Sequence, residues 1–539
     1  MKEETDLPSQ ENDVSDREGK ETGAEMTARV LQGSAFILLS RLINAISLFI
    51  VSVSLARYLG TEQYGLIAIA MGVAGMLEVV GSLGMNMGSA RYIPFYKAKG
   101  QEDNVRRVVS INVTTKVSTA ILLGTLLYIT AGFFQDLFDK PVEPLIQIAA
   151  IVIAMNILGG TFYGILRGLQ RMLVMAVANV IRDVVWMVTS LALVLVADLG
   201  PEGALWGFVA GALVWMVISF VAMVLTLRED LKERGPLENR YDRAVVWAMV
   251  TFGFPVLLSR LLFMVFDWTG TYMLAYYGTV EDVSIFNVAF GIVTIPLMVS
   301  KAISTALMPA LSQAYGEGRM GLMRTLWSGP LKLINAIFIP VAAMLMVLAG
   351  PAILLIYGEE YVPGALAVLI LAPYLFVRPT GLQANHLLAA MALQNLIFKV
   401  NIVSVILNII LAFLLVPTLG IEGAAIAATT SFYVNSLFLY HYARREGGVD
   451  ADAPTINRLL AGAIIAMVVS ASVFFLTDPL GLDFIILMVR LAAASILGFG
   501  VYLLYVRRVR LFSEDEMKNV VAVTEHSKLA GIILKLLGQ

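Results

Sequence analysis

Long apolar runs dominate the chain, and their length exceeds what a strand or a buried helix of a soluble core requires. A membrane-spanning helix needs about 20 consecutive apolar residues. Fourteen such runs, bounded by charged residues, glycine and proline, lie at 30–57, 62–84, 108–134, 144–167, 173–197, 202–227, 244–275, 282–310, 324–350, 363–386, 389–416, 421–443, 457–476 and 482–506. The pattern predicts an all-α, polytopic membrane protein with fourteen transmembrane helices, here called span 1 to span 14.

The composition fits a chain that lies mostly in lipid. Charged residues make up 14% of its 539 positions, whereas soluble domains have about 25%. The absence of cysteine excludes disulfides, thiolate metal sites and a cysteine nucleophile, and the three histidines form no ligand cluster. A GxxxxGK[ST] phosphate-binding loop is also absent, so the chain has no ATPase domain of its own. We expect no enzymatic activity, no metal, no cofactor and no nucleic-acid partner.

Loop charges alternate in sign along the chain and predict its orientation. Every second loop is basic, and these loops contain Arg91, Lys97, Lys99, Arg106, Arg107, Arg167, Arg171, Arg228, Lys232, Arg234, Arg240, Arg243, Arg319, Arg324, Arg444, Arg445, Arg507, Arg508 and Arg510. The intervening loops are short and mostly acidic, and Lys140 is their clear cation. Since Lys and Arg concentrate in cytoplasmic loops, both termini are predicted to be cytoplasmic in the plasma membrane.

The spans and the polar segments between them predict six regions. These are a disordered acidic cytoplasmic tail at 1–28, an N-terminal six-helix lobe at 29–227, a cytoplasmic linker at 228–243, a C-terminal six-helix lobe at 244–445, spans 13 and 14 at 446–506, and a cytoplasmic amphipathic tail at 507–539. Two alternatives remain open: the first tail could bind a partner, and the last could be loosely attached.

Two short motifs recur about 220 residues apart. LLSRL occurs at 38–42 and 257–261, and LG-x-EGA occurs at 199–204 and 419–424. Two matches at one offset indicate an internal duplication, which is how many transporters are built. Because each predicted lobe has an even number of spans, both lobes enter the membrane from the same side and the repeat is parallel. Spans 13 and 14 lie outside the repeat.

Basic side chains lie inside the predicted spans, where a charge is costly in lipid and is a functional candidate. They are Arg41, Lys116, Arg182, Arg260, Lys301, Arg378, Lys399 and Arg490. Arg41 lies about 18 Å along its helix from Arg29, beyond the hydrocarbon half-thickness of about 15 Å. Most of the others are expected at similar depths, so snorkelling to the surface explains them poorly.

Two interpretations of these cations remain open. They could pair with acids inside the spans, but only Glu78, Asp183 and Asp267 are available, which leaves a surplus of cations. The surplus would line a hydrated cavity that binds an anionic substrate. The candidate substrate-binding residues are Arg41, Arg260, Lys116, Lys301, Arg378 and Lys399.

The remaining charges have other expected roles. Arg182 need not pair with Asp183, because successive helix residues point about 100° apart. Arg490, outside the repeat, is expected to be structural or lipid-facing. Asp267 and Glu78 are candidates for coupling to H⁺ or Na⁺, although a salt bridge to a cation is an equally good interpretation of each.

Prolines inside the spans predict bends, because proline removes a backbone hydrogen bond and kinks a helix. They are Pro255, Pro296, Pro340, Pro373 and Pro379, and all of them lie in the C-terminal lobe.

Several segments together resemble one family of transporters. They are RYLGTEQYG at 57–65, GSLGMNMGSARYIP at 81–94, LRGLQRMLVMAVANVIRDV at 166–184, LSRLLFMVFD at 258–267, MPALSQAYGEG at 308–318 and GIEGAAIAAT at 420–429. Their order across 28–506 is similar to that of the polysaccharide-transporter branch, which includes O-antigen (Wzx-type) flippases, of the multidrug/oligosaccharidyl-lipid/polysaccharide (MOP) superfamily.

The resemblance implies two six-helix bundles around a V-shaped cationic cavity that binds (di)phosphate, with Arg41 and Arg260 on opposite walls. It implies rocker-switch movement of a lipid-linked oligosaccharide on a polyprenyl or dolichyl (di)phosphate from the cytoplasmic to the outer leaflet, for cell-surface glycan biosynthesis. The expected partners are this substrate, membrane lipids and H⁺ or Na⁺, and we expect a monomer near glycan-assembly enzymes.

Three alternatives remain open. A cation-coupled exporter of the multidrug type would have twelve helices and an acidic cavity, whereas cations dominate here. A major-facilitator carrier would have a GxxxDRxGRR-like loop, which is absent from 85–107. A lipid II flippase is a variant of the first interpretation.

Overall fold

The computed structural model describes residues 11–230, 242–480 and 483–509. The side chains of Arg41 and Leu42, and those before Ser40, lie outside the described part. Regular structure in the described ranges is helical throughout. Residues 510–539, most of the amphipathic tail predicted at 507–539, and 231–241, most of the linker predicted at 228–243, also lie outside it.

The helices follow the fourteen predicted spans closely. Helix Glu11–Ser82 contains span 1 (11–59) and span 2 (61–82), and Met85–Ala98 continues span 2. Spans 3 to 7 are Glu102–Ile129, Glu143–Gly168, Met172–Leu195, Gly200–Asp230 and Arg243–Tyr277. Span 8 is Val280–Thr294 with Leu297–Gly316, span 9 is Met320–Ile356, and span 10 is Gly364–Leu371 with Tyr374–Ala390. Helix Gln394–Gly447 contains span 11 (394–419) and span 12 (421–447), and spans 13 and 14 are Ala453–Leu476 and Phe484–Val509. Short helices Ala131–Phe138, Glu359–Tyr361 and Asp478–Leu480 lie between spans.

Two glycines reverse the chain inside what would otherwise be single long helices. Gly60 and Gly420 have φ of 73° and 54°, a left-handed region that glycine adopts without a steric penalty. Ser52 Oγ and Tyr64 Oη are 2.9 Å apart, although twelve residues of straight helix would separate them by about 18 Å. The chain therefore turns back at Gly60, and spans 1 and 2 form a hairpin.

The LG-x-EGA repeat marks equivalent hairpins in the two lobes. At 199–204 it forms the turn between spans 5 and 6, where a Cβ on Gly203 would lie 3.1 Å from the Leu193 carbonyl. At 419–424 it forms the turn between spans 11 and 12, where a Cβ on Gly423 would lie 2.5 Å from the Leu415 carbonyl oxygen. The same glycine of the motif thus lets the two arms approach closely in each lobe, as a parallel repeat requires.

The lobes contact each other along span 2, whose glycines approach the backbones of spans 7 and 8. A Cβ on Gly65 would lie 2.2 Å from the Val280 carbonyl oxygen, and one on Gly84 would lie 1.9 Å from the Gly253 carbonyl oxygen. Between these points the Tyr272 hydroxyl donates to the Gly72 carbonyl oxygen at 2.8 Å. We call this contact the glycine seam; it runs along most of span 2.

Some details differ from the sequence prediction. The first helix begins at Glu11, within the tail predicted to be disordered at 1–28. Acidic residues there precede basic ones by four positions, at Asp13–Arg17 and Asp16–Lys20, a spacing that favours helix. The predicted boundaries of the six regions stay predictions.

The prolines behave in two ways. Span 8 is interrupted before Pro296, and the two parts of span 10 meet at Pro373 with a bend of 47°, which confirms the predicted bends there. Pro255, Pro340 and Pro379 lie inside continuous helices.

Candidate functional site

One end of the bundle is closed by contacts between the lobes. Tyr361, which follows span 9 and is 1% exposed, donates its hydroxyl toward the carbonyl oxygens of Ala56 and Gly60, each at 3.3 Å. The same hydroxyl accepts from Ser284 Oγ at 3.2 Å. Beside it, the Thr61 amide donates to a carboxylate oxygen of Glu360 at 3.2 Å. We call this group of contacts the closed end.

Span 7 presents charged groups on one face. Arg260 and Asp267 are both exposed and lie seven residues apart, with Phe263, 39% exposed, between them. Positions separated by three, four and seven residues share a helix face. Arg260 lies at the midpoint of Arg243–Tyr277, about 25 Å from either end at 1.5 Å per residue. An arginine at that depth is costly in lipid, so this face is expected to point toward the interior of the bundle.

Charges of the N-terminal lobe lie near Arg260. Its guanidinium interacts electrostatically with Glu78 of span 2 and Lys116 of span 3. Glu78 accepts a hydrogen bond from Asn156 Nδ2 at 3.0 Å. Lys116 is fully buried and donates to the Gly81 carbonyl oxygen at 2.6 Å. That carbonyl lies close to the break in span 2 at Leu83 and Gly84.

Arg182 and Asp183 form an ion pair, a possibility that their adjacent positions on one helix left open. Arg182 Nη2 and Nε lie 2.8 Å and 2.9 Å from Asp183 Oδ1. Asp183 is 1% exposed, while the Arg182 guanidinium also stacks 5.2 Å from the centre of the Trp215 ring. The length of the arginine side chain lets its guanidinium reach the neighbouring carboxylate although the two Cα–Cβ bonds point about 100° apart. Arg182 also interacts electrostatically with Glu78.

The C-terminal lobe has a second group of charges around Arg378 of span 10. Arg378 is 7% exposed, and its Nη1 donates to Asn435 Oδ1 at 3.1 Å. Asp267 and Lys301 both interact electrostatically with it. Of these three, Asp267 and Lys301 are exposed and Arg378 is buried.

Two other predicted cations lie elsewhere. Arg490 is 1% exposed and pairs with Asp478 at 2.8 Å, in the turn between spans 13 and 14; it is therefore structural and not lipid-facing. Lys399 lies only five residues into the helix that begins at Gln394, about 8 Å from its end. This is shallower than predicted, because the predicted span began at 389. Arg41 lies on span 1, and its side chain is outside the described part.

The structure thus brings Arg260, Lys116 and Glu78 together, and separately Asp267, Lys301 and Arg378. The sequence analysis missed the amide side chains that partner them, Asn156 and Asn435. The sequence does contain a signal for both residues, because an amide side chain inside an apolar helix needs a hydrogen-bond partner. Within the described ranges, no group of His, Asp and Glu could hold a metal ion. The cations of these two groups could bind an anion and stabilise its negative charge.

The fold and these charges define the class of protein. It is a polytopic α-helical membrane protein with two parallel six-helix lobes and two further helices. A sequence profile of the family described as "Polysaccharide biosynthesis protein" matches residues 30–315, and one described as "MatE" matches residues 255–414. Because the first covers more than half of the chain, this protein belongs to the polysaccharide biosynthesis protein family.

Similar curated proteins are known from archaea. "Probable low-salt glycan biosynthesis flippase Agl15" of Haloferax volcanii is 23% identical over 177 residues, 33% of this chain and 38% of that protein. "Probable flippase AglR" of the same organism is 25% identical over 247 residues, 45% of this chain and 51% of that protein. The matches to these two relatives therefore span about half of their length or less.

Solved structures show the same fold. "Lipid II flippase MurJ, inward closed conformation" superposes with a TM-score of 0.68 at 15% identity, covering 88% of this chain and 98% of that one. "Inward-facing conformation of a multidrug resistance MATE family transporter of the MOP superfamily" gives a TM-score of 0.63 at 17% identity, covering 76% and 94%. The predicted fold class is confirmed.

The ion pair of Arg182 and the exposed position of Arg260 predict different effects on stability. Arg182→Gln leaves the buried Asp183 carboxylate without its partner, and should destabilise the protein by about 2–3 kcal/mol. This is less than for a fully buried pair, since the Arg182 side chain is 31% exposed. The thermal unfolding midpoint in detergent should therefore fall in Arg182→Gln and stay unchanged in Arg260→Gln. The double variant Arg182→Gln/Asp183→Asn should regain much of the loss, and equal midpoints for all variants would contradict the assignment.

Proposed function

We propose that this protein is a flippase for a lipid-linked oligosaccharide carried on a polyprenyl or dolichyl (di)phosphate. It would move the glycan from the cytoplasmic to the outer leaflet by alternating access, for cell-surface polysaccharide or glycan biosynthesis. The observation that carries the proposal is Arg260. This arginine is exposed inside the bundle at the midpoint of span 7, and no ion pair or hydrogen bond engages it among the described residues.

The chemistry of the substrate explains why an arginine should be free at that depth. A diphosphate group carries negative charge, which makes crossing the hydrocarbon prohibitive without compensation. Arginine offers planar, bidentate donors that fit phosphate oxygens. We place the headgroup between Arg260 and Arg41 of span 1, with Lys116 as a nearby buried amine that interacts electrostatically with Arg260. The lipid tail can stay in the bilayer while the glycan passes through the cavity.

Lys301 and Lys399 are proposed as further contacts of the anionic substrate. Both side chains are exposed. Lys399 lies five residues from the start of the helix that begins at Gln394. Arg378 is a weaker candidate, because it is buried and already donates to Asn435.

The closed end supports an inward-facing state. The basic loops predict that this end, which carries Gly60 and Glu360, faces outward. The cavity would then be closed to the outside by Tyr361 and its partners, and the substrate would enter from the cytoplasmic side. Release requires these lobe-to-lobe hydrogen bonds to break.

A multidrug-type exporter coupled to a cation is the second candidate. The "MatE" profile match at 255–414 and the shared fold favour it. Arg260 and Lys301 disfavour it, since the exposed positive charge of each side chain would repel a cationic drug.

The first prediction concerns the proposed phosphate contacts. Arg260→Ala and Arg41→Ala should each reduce translocation of a polyprenyl-diphosphate oligosaccharide in proteoliposomes by about tenfold or more, because a hydrogen bond to a charged group contributes about 1.5–3 kcal/mol. Arg260→Lys keeps the charge but loses the bidentate geometry, and should be intermediate. Arg319→Ala, in an exposed turn, is the control. Wild-type rates in both alanine variants would remove the proposed phosphate site.

A cross-link at the closed end should stop transport. Cysteines placed at Thr61 and Glu360 lie on different lobes, and the chain has no cysteine to interfere. A reducible cross-link between them should form readily, abolish translocation, and release it again on reduction. Cysteines at Ser190 and Ala204, which touch within one lobe, should cross-link without loss of transport. Full activity in the cross-linked Thr61–Glu360 protein would show that this end need not open.

Asp267 and Glu78 are proposed to couple transport to H⁺ or Na⁺, since both are carboxylates close to the cations of the cavity. Asp267→Asn or Glu78→Gln should weaken the response of the translocation rate to an imposed gradient of the coupling ion. If both variants respond like the wild type, the two acids serve only to balance charge.

A further inference from the structure

An apolar pocket of about 400 Å³ lies between the two lobes. The N-terminal lobe lines it with residues of span 2, such as Met76, and with the short helix Ala131–Phe138. The C-terminal lobe lines it with residues of span 7, such as Met273 and Tyr276, and with Phe413 of span 11. All the lining residues are aliphatic or aromatic. The volume is within the range of pockets that bind small organic molecules, about 300–1,000 Å³.

The pocket faces away from the charged groups of the same helices. Successive residues of an α-helix point about 100° apart. On span 7, Tyr276 is therefore about 180° from Asp267, and on span 2, Met76 is about 160° from Glu78. Met76 and Tyr276 are both exposed. The pocket thus opens on the surface of the bundle that contacts the bilayer.

Neighbouring elements indicate the depth of the pocket in the membrane. Span 7 ends at Tyr277, and the pair Tyr276 and Tyr277 is typical of a helix end at the headgroup level. The turn that follows is at the closed end, because Val280 contacts Gly65 near the start of span 2. Helix Ala131–Phe138 presents apolar residues to the pocket, as helices that lie in the membrane surface do. The pocket therefore lies just below the headgroups of the leaflet at the closed end.

Neither water nor a peptide suits this pocket. A cavity with apolar walls stays dry, and the Tyr272 hydroxyl at its edge already donates to the Gly72 carbonyl oxygen. A peptide within the hydrocarbon would need hydrogen-bond partners for its backbone groups. A hydrocarbon chain needs none, and it gains dispersion contacts with both lobes.

The glycine seam separates this pocket from the proposed substrate site. A lipid tail joined to a headgroup at Arg260 would have to pass between the lobes beside span 2 to reach the pocket. The backbones are in close contact there at Gly65 and Gly84, and Tyr272 is hydrogen-bonded to Gly72 between these points. This barrier favours a lipid whose headgroup stays at the membrane surface over the tail of a substrate held inside.

We propose that the pocket binds one acyl chain of a bilayer phospholipid from the leaflet at the closed end. The chain packs against span 2 and helix Ala131–Phe138 of one lobe and against spans 7 and 11 of the other. Opening of the closed end requires the lobes to move and changes the shape of the pocket, so the bound chain favours the closed arrangement. The proposal does not depend on the identity of the transported substrate.

Photolabelling of the full chain tests which lipid occupies the pocket. The probe is phosphatidylcholine with a diazirine on one acyl chain, present as a small fraction of phosphatidylcholine vesicles. After illumination, the segments around Met76 and Met273 should carry several times more label than the segment around Ile496, which is exposed on span 14. Equal labelling of the three segments would overturn the proposal and leave ordinary annular lipid. Labelling of the pocket by a diazirine-bearing polyprenyl phosphate, and not by phosphatidylcholine, would assign it to the substrate tail instead.

Substitutions that fill the pocket separate this site from general effects of lipid. The delipidated protein in detergent should gain about 2 °C in its unfolding midpoint when phosphatidylcholine is added back, because a ligand that binds only the folded state stabilises it. Met273→Trp and Met76→Trp each place a large ring in the pocket, and should lose most of this gain together with the label. Ile496→Trp, on the lipid-facing side of span 14, should keep both. If the two pocket variants gain as much as the wild type, no specific chain binds here.

The effect on the closed end has a separate readout. Cysteines at Thr61 and Glu360, whose parent residues are hydrogen-bonded across the lobes, should cross-link faster in the delipidated protein after phosphatidylcholine is added. In Met273→Trp, the rate should be the same with and without the lipid. A rate that does not respond to lipid in the otherwise wild-type protein would show that the chain does not favour closure.

Discussion

A charge inside a membrane has to be solvated by something other than lipid, and this requirement organises the interior of the protein. Several solutions occur within one chain. Asp183 and Asp478 give Arg182 and Arg490 a carboxylate, and both pairs are local. Lys116 is met by a backbone carbonyl near a break in span 2. Arg260 has neither kind of hydrogen-bonded partner among the described residues, which sets it apart from these three cations.

Charge placement and conformational state are connected through span 7. This helix carries Arg260 and Asp267 on one face and contacts span 2 of the other lobe on another. Any rotation of the lobes therefore moves Arg260 relative to Glu78 and Lys116. Closure by Tyr361 and Glu360 lies far from these charges, at the end of the bundle. An anion at Arg260 and the contacts of the closed end would thus influence each other through a rigid helix.

The sequence predicted the fold well because the bilayer sets the length of each apolar run, and glycine or charge marks each turn. The hairpins at Gly60 and Gly420 were placed within a few residues for that reason. The site was predicted only in part. Which cation pairs with which group depends on side-chain rotamers and on contacts between distant spans, so the pairing of Arg182 and the buried position of Arg490 could not be read from spacing. The depth of Lys399 depended on a helix start that hydropathy places poorly.

The glycine seam has a mechanical consequence. Helices usually interlock through ridges of side chains that fit into grooves, and rotating one against the other forces many rotamers to change. At Gly65 and Gly84 the two backbones lie so close that a Cβ on either glycine would collide with a carbonyl group. These two glycines therefore place no side chain between the lobes. Between these two points the rings of Trp268 and Tyr272 pack against Gly72. The distance between the lobes is therefore set by backbone contacts at Gly65 and Gly84, and a movement of one lobe against the other would change side-chain packing mainly around Gly72.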